Sequence, residues 1–350
     1  MDAQPIPVID FDRLVRDPAA CAADLATGFG ELGLVYVRGA PVDLDALEQL
    51  YADFLEVLGR PREEKATWGG SDGWFQRGWT PPNTEQAVLG GGQPDFKECF
   101  FAAPMPADPD AAPLWPELYQ DNVWPQASPR FEAGLVAMGQ ALQHVGDALL
   151  RACARALGLA EDAFAEKTRG AAHVSRLLEY LPLTEAQVRA RPRVLWGEEH
   201  TDFNLLTLLP GGRFFEEGQP VLPPEDRGGL YLRTRPTIEH PEGRRVPGRP
   251  PPGCLVAQVG QQLEVLSDGR FLATPHGIVP PGRPGLARTS LAHFVHLHPS
   301  AQVAPLPGLR RPGSRYAPPV LAGTWAMATL VTIGLAPPEV LARLGYRPTT

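Results

Sequence analysis

The chain has 350 residues, 43% of them hydrophobic, and a formal net charge of −8. That is enough material for a substantial core, and the acidic balance argues against the basic footprint of a nucleic-acid binder. The four cysteines, Cys21, Cys99, Cys153 and Cys254, are scattered without a C-x-x-C pair, which argues against a zinc ribbon or a disulfide framework.

The N-terminus shows no basic segment leading into an apolar one, and no apolar run reaches the length of a membrane span. The expectation is a cytoplasmic protein. The 36 glycines and 40 prolines predict many turns. Residues Pro5 to Asp12 read as a short edge strand with its prolines at the start. Asp17-Pro18 opens a helix carrying Cys21, Leu25, Phe29 and Leu32 on one side, and Gly33 ends it. Leu34 to Val37 is β-rich. Asp43 caps a second helix whose stripe is Leu44, Leu47, Leu50, Tyr51, Phe54 and Leu58, closed by Gly59.

From Trp68 to Ala103 the periodicity is lost. The segment holds Trp74, Phe75, Trp79, Phe96, Phe100 and Phe101, with Gly69-Gly70 and Gly90-Gly91-Gly92 as breaks. Two readings stay open, an aromatic roof over a pocket or a loop packing its rings into the body. Pro104 to Pro129 is irregular. Ser128-Pro129 starts the longest helix, with Leu135, Met138, Leu142, Val145 and Leu149 at spacings of three and four and Gly158 as the stop.

Strands are predicted over 174–181, 202–209, 229–233, 254–259, 262–266, 271–279 and 288–297. Two Pro/Gly/charged segments, 210–227 and 235–253, read as surface insertions. A proline-rich turn (305–319), a helix over about 322–333 and a short one after Pro337-Pro338 complete the chain. Helices first and strands after predict an α+β fold with an antiparallel barrel or jelly roll in its second half. The regions are 1–125, a long supporting helix in 126–170, a β core in 171–300 and a tail in 301–350, expected to form one compact unit.

His200 and Asp202 stand two apart, so on one strand they project to the same face. If the run containing His276 folds back beside them, two imidazoles and a carboxylate meet. That donor set holds iron in non-heme Fe(II) oxygenases and leaves coordination positions open. Arg288 and Ser290 share a face of the last strand, one turn and a return strand after His276. A guanidinium fork and a hydroxyl together suit a carboxylate. Taken singly, an H-x-D or an R-x-S is more often structural. His296 and His298 share Ser290's face and read as solvent-facing beside Pro299. His144, His173, His240 and His293 stand outside any ligand spacing and read as structural. Glu198 and Glu199 are expected in water rather than against a cationic group.

Several motifs then fall in order: Pro-Val-Ile-Asp-Phe at 7–11, Gly-Leu-Val-Tyr-Val-Arg-Gly at 33–39, Gly-Trp-Phe-Gln-Arg-Gly-Trp at 73–79 and Asp95-Phe-Lys-Glu98. They continue with His200-Thr-Asp-Phe203, Leu206 to Leu209, Gly228-Gly229-Leu230, Gly260 with Leu263, Ser267-Asp-Gly269, His276, and Arg288-Thr-Ser290 with Phe294 and Pro299. Over nearly its whole length the chain resembles the isopenicillin N synthase-like family of Fe(II)/2-oxoglutarate-dependent oxygenases. The resemblance implies a double-stranded β-helix core of the jelly-roll or cupin-like kind. N-terminal helices pack around that core, and a C-terminal helical tail follows.

It also implies Fe(II) on His200, Asp202 and His276, and 2-oxoglutarate on Arg288 and Ser290. Tyr180 is implied as a further donor, because Leu178-Glu179-Tyr180 matches the family's Asn-x-Tyr motif with Leu178 in place of the Asn. Gly277 stands where the family commonly has Arg. The long spacing from Asp202 to His276 is absorbed by the two insertions, because loop closure cost grows slowly. The implied reaction consumes O₂, releases succinate and CO₂, and hydroxylates, desaturates or cyclises a small molecule. The expected partner is that small-molecule substrate, with no nucleic acid or membrane, in a monomer or weak homo-oligomer. Its pocket is expected to draw on 74–79, the insertions and the C-terminal helix. Two alternatives stay open: a same-fold oxidase that uses no 2-oxoglutarate, as isopenicillin N synthase does, and a binding protein with a degraded or zinc-filled site. The intact triad argues against the second.

Overall fold

The computed structural model describes residues 6–70, 73–85, 94–226, 228–236, 240–316 and 318–344. Pro5 and the glycine triplet at 90–92 lie outside them. Strand β1 (Val8–Asp10) is shorter than predicted, because Asp10 accepts from the Arg13 amide and caps helix α1 (Phe11–Arg16). Asp17 caps the next segment by accepting from the Ala20 amide. The helix expected there is broken into a 3₁₀ turn (Pro18–Cys21), α2 (Ala22–Thr27) and a π turn (Gly28–Leu32).

Gly33 ends this run at φ 78° and leads into β2 (Leu34–Arg38). A Cβ on Gly33 would lie 2.1 Å from Thr274 Oγ1 and 2.5 Å from the Leu272 carbonyl. Glycine therefore lets the N-terminal turn press against the segment that leads to His276. Gly33→Ala should lower stability by about 1–3 kcal/mol, the usual cost of a strained backbone position. Urea unfolding would show it as a lower midpoint at unchanged slope, and an unchanged midpoint would contradict this account of the contact.

Asp43 caps α3 (Leu44–Leu58) as predicted, accepting from the amides of Asp45 and Ala46. After α4 (Arg62–Lys65) the aperiodic aromatic segment contributes two strands, β3 (Gly78–Thr80) and β4 (Lys97–Ala102). Trp79 is buried in the main core, with its Nε1 donating to Glu98 Oε2 at 2.7 Å, so it is no part of a roof. Trp74 packs with the C-terminal helices. Helix α5 (Pro129–Ala156) buries all five of its predicted apolar positions. It lies close against the large sheet, where a Cβ on Gly146 would come within 2.7 Å of Val295.

The remaining elements are β5 (Val174–Tyr180), α6 (Glu185–Arg189), β6 (Gly197–His200), β7 (Leu206–Leu209), β8 (Gly212–Glu216) and β9 (Gln219–Val221). They continue with β10 (Gly229–Arg233), β11 (Arg245–Pro247), β12 (Cys254–Val259), α7 (Gln261–Leu266), β13 (His276–Val279), β14 (Leu286–Val295), β15 (Gln302–Val303), β16 (Val320–Leu321), α8 (Ala322–Thr332) and α9 (Glu339–Arg343). The large sheet runs β1-β2-β12-β7-β14-β5-β4-β3, with β8 on β14 and β9 on β8. The small sheet runs β11-β10-β13-β6. Every pair but β1/β2 is antiparallel. These two sheets are the layers of a double-stranded β-helix, in an α+β chain.

Several expectations are corrected. Residues 261–266 form helix α7, not a strand; the five-residue stretch 262–266 is too short for its period to decide, and Gln261 and Gln262 anchor its first turn by donating to the carbonyls of Asp202 and Asn204. The segment 271–275 is irregular, and pairing begins only at His276. The insertion 210–227 supplies β8 and β9, and the second insertion supplies β11, so neither is purely surface loop. Among the described residues no helix is long and apolar enough to cross a membrane. All four cysteines are buried and free.

Candidate active site

Strands β6 and β13 pair with His200 opposite His276, their ring centroids 4.5 Å apart. His200 is the last residue of its strand. The chain then bends, so His200 and Asp202 do not share a strand face as expected. The bend itself turns the carboxylate back. Asp202 Oδ1 lies 3.5 Å from His200 Nε2, and Oδ2 lies 3.8 Å from His276 Nε2. One donor atom from each residue falls within 4.8 Å of the others. The side chains of Asp202 and His276 are each 10% exposed and that of His200 is 45% exposed, so the cluster opens on one side.

Both imidazoles are held through Nδ1. His200 Nδ1 donates to the Glu198 carbonyl at 2.7 Å. His276 Nδ1 lies 2.5 Å from the side-chain amide of Gln258. With the amide nitrogen turned to the ring, Gln258 Oε1 is buried without a partner. Turning the amide over lets Oε1 accept the Nδ1–H, an assignment the hydrogen-bond network decides. Each ring then presents its Nε2 lone pair toward Asp202, the arrangement of metal-ligating histidines. Asp202 Oδ2 accepts from Thr207 Oγ1 at 2.5 Å, which fixes the third donor. The donor set and its orientation therefore fit Fe(II).

The electrostatics agree. Burial pushes the Asp202 carboxyl up, but the facing imidazoles and the Thr207 hydroxyl override it and hold the pKa well below the usual range. Burial pushes His276 down to about 4. For His200 burial also acts downward, but the Asp202 carboxylate wins and raises it. Replacing Gln258 by Leu leaves His276 Nδ1 only the more distant Thr274 carbonyl, at 3.4 Å, and should weaken Fe(II) binding about 10- to 100-fold. Anaerobic metal titration checks this, and an unchanged affinity would show that Gln258 does not orient the ring.

Arg288 and Ser290 project to one face of β14, opposite Tyr180 and Leu178 of β5 and opposite Phe214 and Gly212 of β8. Arg288 Nη1 donates to Ser290 Oγ at 3.1 Å. The guanidinium carbon lies 5.5 Å from the centre of the Tyr180 ring. A Cβ on residue 212 would lie 2.3 Å from Arg288 Nη2, so Gly212 makes room for the guanidinium. Arg288 has no ion pair among the described residues. Ile278, two residues beyond His276, packs in one cluster with Tyr180, Trp196 and Phe214. The triad strand and the Arg288 face thus line the same interior.

Gly277 has a local explanation. A Cβ there would lie 3.0 Å from both the Tyr231 hydroxyl and the Gly197 carbonyl. Tyr231 fills that space and donates to Glu199 Oε2, while Arg233 Nε donates to Glu199 Oε1. Glu199 is therefore paired and part-buried, not in water, and Glu198 beside it is also part-buried. His296 is also not solvent-facing. It sits between Phe203 and Phe294, and burial with His173 nearby holds its pKa down to about 3. His293 is structural as read, bonded to Ser175 and Gln143. Gln258 and Thr207 were missed in the sequence, although a Gln inside the apolar run 254–259 is a readable signal.

Two family profiles match the chain. One, described as non-haem dioxygenase in morphine synthesis N-terminal, covers residues 6–127, and the other, the 2OG-Fe(II) oxygenase superfamily, covers 176–297. Homoarginine-6-hydroxylase 2-ODD-233 of Oryza sativa subsp. japonica is 26% identical over 318 residues, 87% of this chain and 89% of the relative. The 2-oxoglutarate-Fe(II) type oxidoreductase ppzC of Metarhizium rileyi is 26% identical over 326 residues, 86% and 81% of the two chains. A solved 2OG-Fe(II) oxygenase family protein from Caulobacter crescentus superposes with a TM-score of 0.76 at 26% identity, covering 95% of this chain and 100% of the other. The matched profile and the Metarhizium relative carry 2-oxoglutarate in their names, which favours that co-substrate over the oxidase that dispenses with it. The chain thus belongs to the 2OG-Fe(II) oxygenase superfamily and is a non-heme Fe(II)- and 2-oxoglutarate-dependent dioxygenase.

Proposed function

We propose that His200, Asp202 and His276 hold the Fe(II), that Arg288 and Ser290 with Tyr180 beside them hold the far carboxylate of 2-oxoglutarate, and that the substrate is a small molecule. The observation that carries this is the convergence of three donor atoms within 4.8 Å, with both imidazoles fixed through Nδ1. Bound iron and 2-oxoglutarate supply the oxidative chemistry, in which O₂ is consumed and succinate and CO₂ are released. The chain's own residues bind, orient and shield. Asp202 brings the one negative charge of the donor set. Gln258 and the Glu198 carbonyl keep both Nε2 atoms available. Arg288 offers an uncompensated guanidinium to a carboxylate, and the Tyr180 ring and Ser290 hydroxyl hold it in place. Trp196 and Phe214 keep the interior apolar around it. Four buried, free thiols support a reducing cytoplasm as its compartment.

Succinate formation tests the reading. It should require both Fe(II) and 2-oxoglutarate and proceed slowly even without the organic substrate. Succinate formed equally well without added iron, or not formed at all by the iron-loaded protein, would contradict it.

A further inference from the structure

A cavity separates the bend after Asp202 from helix α8. Its walls include Gln76 and Arg77 of the aromatic segment, Phe203, His296 just past the end of β14, and Ala326 and Leu330 of α8. Phe203 directly follows Asp202, and its ring lies 5.3 Å from that of His296. The His296 backbone amide bonds His173, but neither of its ring nitrogens has a hydrogen-bond partner among the described residues. Burial and the neighbouring His173 lower the His296 pKa; the Arg77 charge adds to them, and the Asp202 carboxylate opposes them. The cavity that His296 lines therefore lies within electrostatic reach of both the Arg77 guanidinium and Asp202.

Arg77 stands out in this wall. It is 4% exposed, and burial pulls its pKa down to about 10, so it stays charged at neutral pH. A charged side chain buried this deeply is rarely left without an opposite charge. Lys65 and Lys97, comparably buried, follow that rule: Lys65 pairs with Glu98, and Lys97 with Glu85 and Asp95. Arg77 has no ion pair among the described residues, and the carboxylate that acts on it, Asp121, is exposed and out of contact. Three backbone carbonyls, those of Gln120, Gln76 and Leu118, accept from its Nε, Nη1 and Nη2. They fix the plane of the guanidinium without neutralising it, and they leave one N–H on each terminal nitrogen. Trp74 and Phe75, just before it, are held at φ 53° and 55°, where bulky residues are strained. Such strain collects at ligand-binding segments.

The charge and the remaining donors narrow the ligand. Two N–H groups on neighbouring nitrogens match the two oxygens of a carboxylate. One guanidinium balances a single negative charge, and Asp202 opposes a second. The wall formed by Phe203, Ala326 and Leu330 is apolar, and the unbonded His296 ring is one more polar group for a ligand to meet. Arg77 also borders a second cavity, but Asp121 borders that one too and would repel an anion.

We propose that the cavity between Phe203 and α8 receives the organic substrate and that Arg77 grips its carboxylate, so that the substrate is a monocarboxylic acid with an apolar body. This rests on the reading of the metal and co-substrate site given above. It adds the chemical class of the substrate.

The test uses the protein loaded with Fe(II) and saturating 2-oxoglutarate in the absence of O₂. Pentanoate, pentanamide and pentylamine share a slim apolar tail and differ in their head group. Each is titrated in, and binding is followed by calorimetry and by perturbation of the metal-to-ligand charge-transfer band. Pentanoate should bind at least about tenfold more tightly than either other probe, the margin of a charge-assisted over a neutral hydrogen bond. Arg77→Met keeps the length of the side chain but removes its charge. It should weaken pentanoate roughly 30-fold or more and pentanamide far less, so that the preference disappears while the band persists. Ala326→Phe leaves Arg77 in place, fills the cavity and should abolish pentanoate binding. It also guards against Arg77→Met failing to fold. Preference for the amide or the amine, equal or absent binding of all three, or loss of the band on adding pentanoate overturns the proposal. So does a preference that survives Arg77→Met, equal weakening of pentanoate and pentanamide in that variant, which would mark Arg77 as a structural clamp, or undiminished pentanoate binding in Ala326→Phe. A wild type without the band before any probe is added instead overturns the underlying site, so the two failures are told apart.

Discussion

Replacing His276 by Ala is expected to abolish Fe(II)-dependent turnover while leaving the fold in place. Three protein donors are the minimum for this kind of centre. Loss of an outer partner of a ligand already costs about 10- to 100-fold in metal affinity, and loss of a ligand costs more. The backbone pairings of β13 with β6 and β10 do not depend on the imidazole. The fold loses one buried hydrogen bond, with the Gln258 amide left unmet. That costs about 1–3 kcal/mol, small against the 5–15 kcal/mol typical of a folded domain. His200→Ala and Asp202→Ala should behave alike, and Asp202→Ala also removes the only charge of the set. Iron content after dialysis and succinate formation check all three. A variant with wild-type iron and wild-type turnover would remove that residue from the centre.

Arg288→Ala should leave Fe(II) binding nearly unchanged and weaken 2-oxoglutarate sharply. A buried guanidinium meeting a carboxylate makes charge-assisted hydrogen bonds. Truncating one member of such a pair costs about 2–5 kcal/mol, mostly because the other charge is left unpaired. That corresponds to roughly 30-fold to several thousand-fold in affinity. Arg288→Lys should recover only part of this, because an ammonium does not reproduce the planar fork, and Gly212 leaves space shaped for that fork. Ser290→Ala removes one hydroxyl partner and should cost less, about 0.5–3 kcal/mol. If instead the wild type forms product without 2-oxoglutarate and Arg288→Ala raises the KM of the organic substrate, Arg288 holds a substrate carboxylate.

Much of the site was legible in the sequence, though not always for the right geometric reason. His200, Asp202 and His276 were grouped by assuming that the first two shared a strand face. In the structure His200 ends β6 and a bend brings Asp202 back. The ordered motifs carried the grouping where the strand argument failed. Arg288 and Ser290 do follow the alternation of β14, because that strand is long and regular. The aromatic segment was ambiguous because its rings divide between two environments, Trp79 in the main core and Trp74 against the C-terminal helices. Helix α7 was misread because a short apolar run has no resolvable period. His296 was misread because its burial comes from Phe203, far away in sequence.

The most direct test of the account is an anaerobic titration of the metal-free protein with Fe(II), with and without 2-oxoglutarate. A metal-to-ligand charge-transfer band should appear only when both are present, saturate at one iron per chain, and vanish in His276→Ala. In Arg288→Ala it should reappear at high 2-oxoglutarate. A wild-type protein that binds Fe(II) but shows no band at any 2-oxoglutarate concentration, or a band that survives in His276→Ala, would contradict it.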